Sequence, residues 1–123
     1  MKLEALVGGA AEVIGTEATL AEAAARMIDR KVGCLAVVEG REVVGILTEH
    51  DVVEAVAGDV RADEELVGDW MSEAPDTVPP HLTVREAATW LLETGYRHLP
   101  VMDGGELLGV ISIKDVLWAL VSE

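Results

Sequence analysis

Apolar positions along the chain change period several times, and each change marks an element. Leu20, Ala23, Ala24, Met27 and Ile28 fall at i, i+3, i+4, i+7 and i+8, the spacing of one buried helical face. Thr19 and Glu22 sit in front of that stripe at capping-box spacing, where a hydroxyl and a carboxylate satisfy the orphan amides of the first turn. The β-branched runs 35–38 and 43–47 follow, joined by Glu39-Gly40-Arg41-Glu42, and predict a hairpin. A second helix starts at Thr48 and carries Val52, Val53, Ala55 and Val56. Ahead of the first helix, Val13-Ile14 reads as a short strand.

The same succession occurs twice. Sliding residues 13–57 by 64 positions onto 77–121 needs no gap and pairs Thr19 with Thr83, Glu22 with Glu86, Gly45 with Gly109 and Asp51 with Asp115. Twelve of the 45 pairs are identical and many others exchange one apolar residue for another, so the duplication sets the architecture. Thr83 and Glu86 form the second capping box, and Val84, Ala87, Ala88, Leu91 and Leu92 the second stripe. A hairpin over 99–102 and 107–111 and a helix from Ser112 complete that copy. The expected fold class is α+β, a strand-helix-strand-strand-helix unit repeated, with residues 1–57 as the first copy and its lead-in and 77–123 as the second. Residues 58–76 hold seven acids and one Arg and predict an acidic connector, in which Leu66, Val67, Trp70 and Met71 form a turn that packs on the repeats.

Composition narrows the function. The chain has 123 residues, half of them hydrophobic, with a mean hydropathy of +0.32, enough for a small core. Its net charge of −14 repels phosphate backbones and anionic bilayers, which argues against nucleic-acid and membrane roles. One Cys makes no internal disulfide, and no signal-peptide pattern or 18-residue apolar run occurs, so a cytoplasmic location is expected. His50, His81 and His98 lack metal-ligand spacing, and Cys34 reads as a small core residue. No nucleophile-base-acid set can be assembled, so neither enzymatic activity nor a metal or resident cofactor is expected.

The ordered motifs Val67-Gly-Asp-Trp-Met71, Thr77-Val-Pro-Pro80, Thr83-Val-Arg-Glu-Ala87, Tyr96-Arg-His-Leu-Pro-Val101 and Gly109-Val-Ile-Ser-Ile-Lys-Asp115 resemble a tandem pair of CBS domains, the regulatory unit called a Bateman module. The first copy matches through Thr19-Leu-Ala-Glu-Ala23, Val32-Gly-Cys-Leu-Ala-Val37 and Gly45-Ile-Leu-Thr-Glu-His-Asp51. It departs by lacking Pro near Gly15-Thr16 and a basic residue at Gly33-Cys34. The resemblance implies β-α-β-β-α repeats packed with pseudo-twofold symmetry, two clefts that bind adenine nucleotides in many members, and dimers.

The resemblance places ribose-binding residues at Thr48 with Asp51 and at Ser112 with Asp115. A hydroxyl and a carboxylate three residues on are also a capping box, and both readings stand at this point. The chemistry of the first is that a carboxylate accepts two hydrogen bonds from a ribose diol, beside a helix N-terminus that favours phosphate. Arg97 and His98, with Lys114 as a third candidate, stand where the resemblance puts phosphate contacts, and it extends the ligand set to Ile14, Thr77 and Val78. The expected function is a sensor of AMP, ADP, ATP or a related adenosyl compound that acts in trans on an effector protein; the alternative is a ligand-free interaction module. The apolar runs of the last helix in each copy predict a homodimer.

Overall fold

A computed structural model describes residues 1–7, 12–73 and 76–122. Main-chain contacts divide the chain into two units, Glu12–Pro75 and a second made of Met1–Ala11 with Asp76–Glu123. The expected α+β class holds. Each unit has its own apolar core.

In the first unit β1 (Val13–Gly15), α1 (Leu20–Arg30), β2 (Cys34–Glu39), β3 (Glu42–Thr48) and α2 (Glu49–Ala57) follow the predicted order. A short helix α3 (Val67–Trp70) and strand β4 (Ser72–Glu73) complete it. The sheet order is β1-β2-β3-β4, with β1 parallel to β2 and the other pairs antiparallel. Gly40, at φ +60°, makes the β2–β3 turn, a conformation that residues with a Cβ resist. Ile14, Leu20, Ala23, Met27, Leu35, Val37, Leu47, Ala55 and Val67 form the core. Burying a Leu or Val side chain fully contributes about 1.5–3 kcal/mol.

The second unit repeats this with α4 (Val84–Thr94), β5 (His98–Asp103), β6 (Glu106–Ser112) and α5 (Ile113–Ser122). β5 and β6 pair antiparallel, while Thr77-Val78 is reduced to a single parallel bridge from Val78 to Val101. The Thr83 hydroxyl and amide both meet the Glu86 carboxylate, at 2.8 and 3.2 Å. Those bonds hold the Glu86 carboxyl below its ordinary value of 4.5, and nearby His81 adds to the shift. Leu3, Val84, Ala87, Leu91, Leu99, Val101, Ile111, Val116 and Ala119 fill the core.

Two expectations change. The lead-in belongs to the second repeat's unit, not the first: Leu3 N donates to Leu82 O at 2.9 Å and Glu4 N to Pro80 O at 3.0 Å. The segment before the second repeat does the converse, Val67 N donating to Ala18 O at 2.8 Å and Gly68 N to Thr16 O at 2.9 Å. These bonds match residue for residue under the 64-residue shift. Within the 58–76 connector the expected turn forms and packs, with Val67 fully buried, and β4 adds a pairing with β3. Ile28 and Leu92 leave the buried stripe and stand 82% and 86% exposed, because the face that meets the core is narrower than the apolar pattern.

Gly45 and Gly109 occupy equivalent strand positions, each covered by a lead-in side chain. A Cβ at Gly45 would lie 2.5 Å from the Met71 sulfur and 2.7 Å from the Ser72 carbonyl oxygen; at Gly109 it would meet Val7 Cγ1 at 2.5 Å. Gly45→Ala and Gly109→Ala are each expected to destabilise by about 1–3 kcal/mol, read from urea midpoints at constant slope. A neutral outcome at either position would contradict this account.

Candidate functional site

In each repeat the hairpin's second strand runs straight into a helix, and the junction carries the predicted polar pair. In the first repeat Thr48 caps α2: its amide and hydroxyl donate to Asp51 Oδ2 at 2.8 and 3.1 Å, and its Oγ1 accepts from the Asp51 amide at 3.3 Å. In the second, Ser112 does the same at 2.9, 3.0 and 3.1 Å with Asp115. Both capping boxes are formed. Each uses one carboxylate oxygen, and Oδ1 accepts no hydrogen bond among the described residues, leaving lone pairs for a diol.

The strand that opens each hairpin brings its first residues beside the cap. Cys34 pairs in register with Thr48, and His98 with Ser112. One residue earlier, Gly33 O accepts from Glu49 N at 2.9 Å and Arg97 O accepts from Ile113 N at 3.0 Å. Arg97, Lys114, Ser112 and Asp115 are thus gathered at one end of the second unit. Arg97 and Lys114 are exposed and make no ion pair among the described residues, while His98 is half-buried. Cys34 is 8% exposed, as expected of a core residue.

The apolar members of the predicted set behave differently. Ile14 and Val78 are 3% and 8% exposed and their side chains serve the two cores, so neither offers a side-chain face to a ligand. Val78 also spends its main chain on Pro100 O at 3.0 Å and Met102 N at 2.9 Å. Thr77 is exposed. Sequence reasoning missed Glu49, whose carboxylate lies 3.3–3.8 Å from the place a Gly33 Cβ would take. The signal was present in the repeat alignment, which sets Glu49 against Ile113.

Among the described residues no three His, Cys, Asp or Glu side chains are grouped to hold a metal. Among the same residues no helix is long and apolar enough to cross a membrane.

Two α+β repeats, each with a hydroxyl-carboxylate cap at the start of its last helix, define a tandem-repeat class of module. The CBS domain family model matches residues 11–58 and 67–122, and the chain belongs to that family. An uncharacterized 17.7 kDa protein of Acidianus ambivalens is 36% identical over 110 residues, covering 88% of this chain and 66% of that protein. Inosine-5'-monophosphate dehydrogenase of Korarchaeum cryptofilum is 35% identical over 106 residues, 85% of this chain but 21% of the enzyme. The chain therefore spans from about a fifth to two thirds of the length of these relatives. A protein with CBS domains from Burkholderia ambifaria superposes with a TM-score of 0.94 at 26% identity, covering 100% and 96% of the two chains. The fold is shared with CBSX2 in complex with AMP (TM-score 0.81, 23% identity, 98% and 96% covered). It is shared also with the CBS domain pair of MJ0100 in complex with 5'-methylthioadenosine and S-adenosyl-L-methionine (0.90, 18%, 99% and 97%).

Ser112→Ala removes a helix cap and is expected to lower stability by about 0.5–2 kcal/mol, with Ser112→Asp restoring most of it. Thermal denaturation of both variants checks this. A neutral Ser112→Ala would mean that the hydroxyl has no structural share in the site.

Proposed function

We propose that the chain is a regulatory module that binds an adenine nucleotide or related adenosyl compound and passes its state to an effector protein in trans. The observation that carries this reading is the duplicated cap with one carboxylate oxygen left over, in a chain of the CBS family. The ribose 2'- and 3'-hydroxyls donate to Oδ1 of Asp51 or Asp115 while Oδ2 keeps the helix capped. The N-terminus of the helix and, in the second repeat, Arg97 and Lys114 with His98 favour a phosphate. Thr77 contributes from the segment that precedes α4, next to the Val78 bridge. The ligand-bound relatives of the same fold support an adenosyl ligand. No step of chemistry is assigned to the chain, and the module is read as a non-enzymatic, cytoplasmic regulator.

The apolar faces of α2 and α5 support self-association. Val53 and Val56 on α2 are 62% and 63% exposed, and Leu117, Trp118 and Val121 on α5 are 56%, 64% and 84% exposed. Water-facing apolar residues in runs like these mark an interaction surface, and the proposed occupant is a second copy of the chain.

AMP, ADP or ATP at 100 times its Kd is expected to stabilise the fold by about 2.7 kcal/mol, seen as a rise of several degrees in a thermal-shift assay. The double variant Asp51→Asn, Asp115→Asn keeps a capping side chain and should lose that rise. No shift with any adenosine compound would instead favour a ligand-free interaction module. Light scattering at micromolar concentration should return twice the chain mass, and Trp118→Glu should shift it to the monomer. A monomer for the unaltered chain would refute self-association.

A further inference from the structure

The two caps are alike, yet their surroundings have opposite charge. Under the 64-residue shift Gly33, Cys34, Glu49 and His50 correspond to Arg97, His98, Ile113 and Lys114. The backbone confirms that these are the same places, because Glu49 N bonds Gly33 O as Ile113 N bonds Arg97 O, at 2.9 and 3.0 Å. With His neutral, the first set carries one negative charge and the second two positive charges. The Glu49 carboxylate lies 3.3–3.8 Å from where a Gly33 Cβ would stand, in the space from which the second repeat projects Arg97. The nearby imidazole does not offset it: His50 Nε2 is 3.0 Å from Glu54 Oε1, a further acid. The wider field has the same sense, since Glu12–Pro75 holds fifteen acids against five basic residues and the other unit eight against four.

On the reading that each repeat captures adenosine through its cap, we infer that the sites differ in ligand class. The first repeat's site takes adenosyl compounds without phosphate, neutral or cationic at the 5' side, and the second takes the phosphorylated ones. A monophosphate with nearly two negative charges meets a fixed carboxylate in the first site and a guanidinium in the second. Glu49 and Arg97 are both exposed, so water and salt reduce each effect without reversing its sign. A neutral adenosine meets no such repulsion, and a sulfonium is drawn to the carboxylate.

Titration calorimetry on the full chain with adenosine, S-adenosylmethionine and AMP tests the inference. Asp51→Asn and Asp115→Asn assign each binding event to a repeat. At the event lost in Asp51→Asn, AMP is expected to bind about tenfold or more weakly than adenosine, with S-adenosylmethionine at least as tight as adenosine. Glu49→Gln should narrow the AMP-to-adenosine ratio there several-fold, and Arg97→Gln should weaken AMP at the other event. AMP equal to adenosine at the first site, a ratio unmoved by Glu49→Gln, or AMP lost from the first site on Arg97→Gln each overturns the inference while adenosine binding stands. Failure of all three compounds to bind at either site would overturn the adenosine reading itself, and this inference with it.

Discussion

Neither repeat closes its core from its own contiguous residues, and the rest of the structure depends on that constraint. Leu3 and Val67 are both fully buried, each in the unit of the repeat that does not follow it in sequence. The main-chain bonds from Leu3 to Leu82 and from Val67 to Ala18 dock each lead-in on the loop just before α4 or α1. Val7 and Met71 then cover Gly109 and Gly45, where any Cβ would collide. A segment ending at residue 57 would lack Val67 and expose part of its apolar interior to water. The folding of each unit is thus tied to chain that lies beyond its own repeat.

Much of this was legible in the sequence because its causes are local. Capping boxes at Thr83 and Thr48 show as hydroxyl and carboxylate three apart, and the hairpins announce themselves through Gly40 and Gly104, both at positive φ. The exchanged lead-ins were not legible, since their pairing partners are about 50 to 80 residues away and the shift aligns Leu3 with Val67 and Val7 with Met71 by apolar character without identity. Periodicity also overcounted the buried face. It records that Ile28 and Leu92 lie near the stripe, but an 11-residue helix presents only one narrow ridge to its unit's core, so the i+8 position turns out to solvent.

The candidate site was half legible for a similar reason. Thr48, Asp51, Ser112 and Asp115 carry a spacing with one geometric meaning, and the structure forms it twice. Ile14 and Val78 are read differently once their burial is known, since a side chain committed to a core cannot also line a ligand surface. Glu49 lies beside Gly33 only because a strand ending at Thr48 folds back against the start of β2, a relation that the order of residues does not display.

The capping carboxylates have a further consequence, because they join a ligand-facing atom to a rigid rod. Asp115 opens α5, and Leu117, Trp118 and Val121 stand on the same ten-residue helix, within about 9 Å along its axis at 1.5 Å per residue. Asp51 bears the same relation to Val53 and Val56 on α2. On the proposed reading, a nucleotide that draws on the free carboxylate oxygen and a protein seated on the exposed apolar face grip the same helix. Any differential affinity of the ligand for one helix placement then becomes, by linkage, an equal differential affinity of the partner. Such a module requires no catalytic group and no hinge of its own, only a helix held at one end by chemistry and along one side by packing.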